Sequence, residues 1–321
     1  MKGFVLAGLA GLCAGGAAAG GWVLDGWPWG SGDLVITVAG TMQSDVSSPM
    51  YPSCVVVPAA SGVLRLGAVA GVCIDSFTYA ETSAAAGPRV TAMTFHNLVA
   101  ARQISITTCL ALTYLGFPEL VVLGQSNFAA GIGTCPAITE ISCPKLVSIN
   151  GSILWTAGQT LLATFSMPKL HSLAGALQVV GPHAMTTLSL PELAHIQAQV
   201  AISASTTLTT IYMPKLETLG SASGFVASTG LGNLAEVTIG APGVTKYLNG
   251  SVTLTGQALT EASVKRLLAM LASLDGTGST VKWGSGKTLN ISGGTSWAPD
   301  ASCDAAIGII EANGATVTHN P

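Results

Sequence analysis

Apolar residues recur through the middle of this chain on a fixed template. The phrase apolar–Pro–(Lys or Glu)–Leu occurs as Phe117-Pro118-Glu119-Leu120, Cys143-Pro144-Lys145-Leu146, Met167-Pro168-Lys169-Leu170, Leu190-Pro191-Glu192-Leu193 and Met213-Pro214-Lys215-Leu216. A degenerate copy, Phe95-His96-Asn97-Leu98, precedes them, and the central positions are 22, 26, 24, 23 and 23 residues apart. With the Pro as zero, apolar side chains fall at −6, −3, −1, +2 and +5, as in Ile138, Ile141, Cys143, Leu146 and Ile149. One such repeat cannot bury these residues alone, whereas stacked neighbours can, so a period of this size predicts a solenoid. The +2 column, Leu120, Leu146, Leu170, Leu193 and Leu216, is the expected repeat core.

A second apolar pair at +9 and +11 (Ile153/Trp155, Leu177/Val179, Val200/Ile202) alternates as a strand does. Each repeat is therefore predicted to carry two short strands, around −3 to −1 and +9 to +11, paired in parallel with the next repeat. The Pro closes a strand where its missing N–H does no harm. A half-copy, Leu234, Val237 and Ile239, ends at Gly240, as atypical terminal repeats do.

Outside the repeats the pattern changes. Leu34–Val38, Cys54–Val57 and Val63–Leu66 read as strands between Gly/Ser/Pro turns. Beyond the repeats, Thr260 can cap a helix whose apolar face is Val264, Leu267, Leu268, Leu271 and Leu274. Thr280–Trp283 and Thr288–Ser292 read as strands, and Pro299-Asp300 starts a second helix that Gly314 ends. Ala315–Thr318 is the last predicted strand. The expected fold is mainly β: a parallel β-solenoid over residues 88–258, after a Gly/Trp-rich segment (1–33) and a small β region (34–87). An α/β module (259–321) follows as a cap over the solenoid's exposed edge.

Composition narrows the function classes. With 49% hydrophobic residues, only 8% charged and 39 Gly, the chain suits a β-rich stack with tight turns and does not suit disorder. A net charge of −3 offers no basic patch for nucleic acid. Outside the N-terminus there is no apolar run long enough for a membrane helix. Residues 1–24 have the outline of a secretory signal, with Cys13 preceded by Leu12 where a lipoprotein signal wants a small residue. The expectation is that they are retained as a buried or partner-docked segment. Trp22, Trp27 and Trp29 form a candidate anchor onto a partner, or a local cluster capping the next region.

Two resemblances follow from these motifs. The pattern Leu208-Thr-Thr-Ile211-Tyr-Met213-Pro214-Lys-Leu216-Glu-Thr-Leu219-Gly220 resembles the irregular leucine-rich repeats of bacterial and phage surface proteins. It lacks the Asn of the standard consensus, so outer helices are not expected. The tail, through Leu259-Thr-Glu-Ala-Ser-Val264, Leu274-Asp275-Gly-Thr, Leu289-Asn290-Ile-Ser-Gly-Gly294 and Ala298-Pro299, resembles the C-terminal module of tailed-phage tail-fibre and virion surface proteins. The resemblance implies a non-enzymatic virion surface protein: a tail fibre, or a fibre or decoration on head or neck. Its partners would be other virion proteins, through the N-terminal segment, and a host envelope receptor, glycan or protein. It also implies a homo-oligomer, trimeric by analogy. The alternatives are a secreted bacterial adhesin, which requires cleavage of residues 1–24, and a polysaccharide depolymerase spike.

The search for chemistry adds little. His171 at +3 and His195 at +4 fall in different columns, and the five histidines read as surface residues rather than a metal or catalytic site. Glu192 and Glu217 are one repeat apart at different offsets (+1 and +3), which leaves a carboxylate pair open without indicating one. No cofactor motif occurs. Cys109 and Cys135 share offset −9 and are either a disulfide across one rung or two buried thiols. The +1 column, Glu119, Lys145, Lys169, Glu192 and Lys215, is a candidate surface stripe in which 119/145, 169/192 and 192/215 are opposite neighbours.

Overall fold

The computed structural model describes residues 54–56, 62–66, 72–80, 90–95, 98–107, 109–124, 135–155, 159–278 and 280–321. The expected strand Leu34–Val38 and the tryptophans at 22, 27 and 29 lie outside these residues. Among the described residues the protein is mainly β, with two α-helices, and every strand pairing is parallel. The strands form several separate parallel sheets, of nine, seven, five and three strands.

Among the described residues the repeats supply strands to three positions. The leading strands, just before the Pro, include Tyr114–Gly116, Glu140–Ser142 and Thr164–Ser166 in the five-stranded sheet. Thr187–Ser189, Thr210–Met213 and Glu236–Ile239 form the three-stranded sheet. The trailing strands, Ile153–Trp155, Leu177–Val180, Val200–Ser203, Phe225–Ala227 and Val252–Leu254, belong to the seven-stranded sheet. Both positions match the sequence pattern.

The third position does not. Two-residue middle strands, such as Ser148–Ile149, Ser172–Leu173, His195–Ile196 and Thr218–Leu219, line up in the nine-stranded sheet. Two strands per repeat were expected; there are three. The +5 residue is the inward half of a strand only two residues long, too short for alternation to register in the sequence.

Register explains the apolar columns. Ile149, Leu173, Ile196, Leu219 and Leu248 pair in succession, as do Ile153, Leu177, Val200, Phe225, Val252 and Leu289. Like side chains therefore stack on like at the strand spacing of about 4.8 Å. The expected core residues Leu120, Leu146, Leu170, Leu193 and Leu216 are fully buried.

The recurrent phrase is a β-turn. The Leu N–H donates to the carbonyl preceding the Pro, at 3.4 Å for Leu120 and Phe117, 3.2 Å for Leu146 and Cys143, and 3.3 Å for Leu216 and Met213. The Pro thus occupies the second turn position, where its fixed φ is already correct.

The strands Cys54–Val56, Val72–Ala80 and Leu98–Thr107 join the nine-stranded sheet, and Gly62–Leu66 joins the five-stranded one. At the other end, Thr288–Asn290 and Thr316–Thr318 extend the seven-stranded sheet beyond the last repeat. Helix α1, Glu261–Ala272, is capped by Thr260 and buries Val264, Leu267, Leu268 and Leu271, as predicted. It closes the edge strand Glu236–Ile239, where Val237 N–H donates to Ser263 Oγ at 2.7 Å. Glu236 gathers Thr260, Ser263 and Arg266 on one carboxylate, which the hydrogen bond from Thr260 above all holds below the usual range. Helix α2, Asp304–Ala312, follows a 3-10 turn, and Gly314 takes φ 89° just beyond its end.

One predicted strand is absent. Residues 280–283 form a loop: Val281 N–H bonds Lys246 and Trp283 N–H bonds Leu274, partners on different elements that build no ladder. The alternation there reflects one deep anchor, Trp283, which is fully buried.

Candidate functional site

The chemistry-bearing side chains fall into three groups: the charged stripe, a histidine pair and a buried polar column. In the stripe, Lys145 pairs with Glu119 at 2.6 Å and Lys215 with Glu192 at 2.7 Å. The expected 169/192 pair does not form. Glu192 has closed on Lys215, and Lys169 makes no ion pair among the described residues. The paired side chains are each 42–57% exposed, so solvent screens them. Lys215→Glu is expected to lower stability by less than about 1 kcal/mol in low salt, and by less still at high salt. Urea unfolding at two ionic strengths checks this; a loss of several kcal/mol would make the stripe a structural element.

His171 and His195, although in different sequence columns, lie edge to face with ring centroids 5.2 Å apart. His195 Nδ1 lies 3.0 Å from Thr218 Oγ1. Next to them Glu217 receives a hydrogen bond from Lys246, the main reason its carboxyl sits below the usual range, with His195 and His171 adding smaller effects. Glu192 and Glu217 each have a lysine partner of their own. No group of three or more His, Cys, Asp or Glu among the described residues is arranged to hold a metal.

The buried column lies at and just after offset −9. It runs Cys109, Cys135, Gln159, His183, Ser205 and Leu231, all buried. Cys109 and Cys135 are buried thiols, not a disulfide. Cys143 is likewise buried, which pushes its thiol pKa up. His183 was expected at the surface, but it is only 7% exposed. Its Nδ1 lies 3.3 Å from Ser205 Oγ, while Nε2 has no hydrogen-bond partner. It borders a cavity of about 10 Å³ with Gln159, Leu162, Val180, Gly181 and Met185, room for about one water. The cavity is lined by the segments that lead into Thr164–Ser166, the end strand of the five-stranded sheet, and Thr187–Ser189, the end strand of the three-stranded sheet. Position −9 in this repeat is Pro182, which displaces the buried role to the next residue and hides it from a column count.

The outer surface of the leading strands, unmarked by any motif, carries hydroxyls. Thr113, Thr139 and Thr209 each donate to the carbonyl of the equivalent residue one repeat earlier, Thr91, Thr113 and Thr186, at 2.8, 3.0 and 3.0 Å. Only alignment of offset −5, where threonine recurs except at Ala163, reveals this ladder.

No family model matches this chain, and no curated protein or solved structure matches it either. No helix among the described residues is long and apolar enough to cross a membrane.

Proposed function

We propose that this chain is a non-enzymatic surface protein of a tailed-phage virion, a tail fibre or a fibre or decoration of head or neck. Its repeats would form one parallel β-solenoid of leucine-rich type, and its α/β tail would close the far end. The solenoid presents a rigid face to a host envelope receptor or to a neighbouring virion protein. Residues 1–33, with Trp22, Trp27 and Trp29, anchor it to the particle, and the assembly is a homo-oligomer, a trimer on the resemblance.

The observation that supports this most is the in-register pairing of like positions across successive repeats. A surface fixed by backbone ladders across many repeats suits attachment better than turnover, because stacked repeats form extended binding surfaces. The resemblance of the tail to phage fibre modules points the same way.

Intact-mass analysis and N-terminal sequencing of the native protein test the proposal. The expected result is the chain carrying residues 1–33, in stoichiometric amounts on purified particles. A chain beginning near residue 20 and found in medium or envelope would replace the proposal with the secreted adhesin. Loss of polysaccharide viscosity on incubation with the protein would replace it with the depolymerase.

A further inference from the structure

The leading-strand face has the chemistry of a carbohydrate platform. At its centre, straddling the gap between the five- and three-stranded sheets, stand Thr164, Ser166, Thr187 and Ser189. Thr164 and Thr187 are exposed and the two serines are half-buried. The hydroxyls of these four residues make no hydrogen bond among the described residues. Beside them the Thr113, Thr139 and Thr209 hydroxyls spend their protons on neighbouring carbonyls, so their oxygens offer lone pairs outward at fixed positions.

An aromatic ring stands on either side of this hydroxyl field. Tyr212, in strand Thr210–Met213, is 42% exposed. Tyr114, in strand Tyr114–Gly116, is folded down across Gly116: a Cβ at that glycine would lie 2.5 Å from the phenol oxygen and 2.8 Å from Cε1. Other repeats carry Ser142, Ser166 or Ser189 at this offset. Glycine here makes room for a ring laid along the sheet rather than standing off it. Burial, above all, raises the pKa of the Tyr114 phenol.

Charge selects the occupant. Within the leading strands from Tyr114–Gly116 to Thr210–Met213, Glu140 is the only ionisable residue besides the two tyrosines. Along the adjoining turns, Glu119 and Glu192 cancel Lys145 and Lys215, which leaves Lys169 as the single uncompensated cation. Such a surface has little to attract a polyanion, nucleic acid or an anionic membrane. Between the two tyrosines its exposed strand residues include Thr164 and Thr187, not the aromatic and apolar cluster that forms the core of a protein interface. Spaced hydroxyls, repeating at about 4.8 Å, with an aromatic at each side, match a neutral polyhydroxylated chain. Its rings stack on tyrosine and its hydroxyls exchange hydrogen bonds with threonine and serine.

We propose that this face binds a neutral polysaccharide lying along the repeat stack between Tyr114 and Tyr212. This rests on the reading of the chain as a receptor-binding surface protein and names the receptor class. The test is a glycan array of neutral and anionic bacterial oligosaccharides, probed with the full-length chain and two variants. Tyr212→Ala removes an exposed ring, and the double variant Thr164→Val with Thr187→Val removes two exposed hydroxyls without changing side-chain shape; thermal melts confirm that both fold.

Binding to neutral features is expected, weakened about tenfold by Tyr212→Ala and several-fold by the double variant. Silence on neutral features, preference for anionic ones, or binding indifferent to both variants would overturn the proposal. Binding of the chain to host cells before and after periodate oxidation of their glycans separates the two levels of inference. Undiminished binding to oxidised cells leaves a receptor-binding protein and removes the glycan face. Variant-sensitive glycan binding by a chain absent from virions keeps the glycan face and removes the virion reading.

Discussion

Trp283→Ala is expected to destabilise the protein by about 3–5 kcal/mol, the usual range for emptying a buried tryptophan site. Trp283 is among the largest fully buried side chains. It closes the junction between α1 and the last repeat: its backbone N–H donates to Leu274 at 2.8 Å, just past the helix, and its indole N–H donates to Gly250 at 3.0 Å. Gly250 begins the turn into Val252–Leu254, the strand on which the tail strand Thr288–Asn290 adds. The substitution therefore leaves both a void and an unpartnered carbonyl at the point where the tail joins the repeats. In stacked repeats, stability is the sum of unit and neighbour-interface contributions, so the damage should be local. Hydrogen exchange is expected to accelerate first in Thr288–Asn290 and Thr316–Thr318, while Leu177–Val180 keeps its protection. Trp283→Phe, which keeps the ring and loses the donor, should cost less, about 1–2 kcal/mol from the missing hydrogen bond. Uniform loss of protection along the whole chain would show that the stack unfolds as one unit and that Trp283 seals nothing in particular.

What was legible in the sequence follows from periodicity. Positions that point inward and stay apolar from repeat to repeat made the columns through Leu146, Ile141 and Leu177 visible, and the same held for the amphipathic helix α1. Short strands with one inward residue were not, because Ser172–Leu173 or Thr218–Leu219 offers no alternation to count. Nor were features that depend on two different offsets. His171 and His195 meet because position +3 of one repeat lies beside +4 of the next. His183 is buried because Pro182 takes the column position before it. The hydroxyl face was hidden for a chemical reason: threonine and serine at −5, −4 and −2 read as ordinary solvent-facing residues until the hydrogen bonds show which hydroxyls are spent and which are free. Gly116 gives no sign in the sequence that it is the seat of a tyrosine ring. The charge stripe shows the converse limit: the column was legible, but which neighbours paired was a local choice, and Glu192 took Lys215 rather than Lys169.

Acid is expected to loosen the middle of the stack through His183. Burial holds its pKa at about 4, against about 6.5 for an unperturbed histidine. The folded protein therefore refuses a proton that the unfolded chain accepts. The stability contributed by this neutral imidazole is fully present above about pH 6.5, falls as pH drops from there towards 4, and is gone below the folded-state pKa. At about 1.4 kcal/mol per pH unit over that window, the loss is about 3 kcal/mol. No carboxylate lines the cavity to compensate an imidazolium, and the neighbouring hydroxyls of Ser205 and Thr207 are neutral. Carboxylates held low elsewhere, such as Glu236, also lose their partners in acid, so the contribution of His183 is read as a difference. Urea unfolding of wild type and His183→Leu is compared at pH 7 and pH 4. Whatever the offset between the two proteins at neutral pH, the variant should lose about 3 kcal/mol less between the two pH values. Because His183 lies in the segment that leads into Thr187–Ser189, the end strand of the three-stranded sheet, the protonated state should expose amides of that strand before those of the middle strands. The same pH dependence in both proteins would place the acid sensitivity in the carboxylates instead. A protected Thr187–Ser189 at pH 4 would mean that the backbone break between the sheets is not a weak point in the stack.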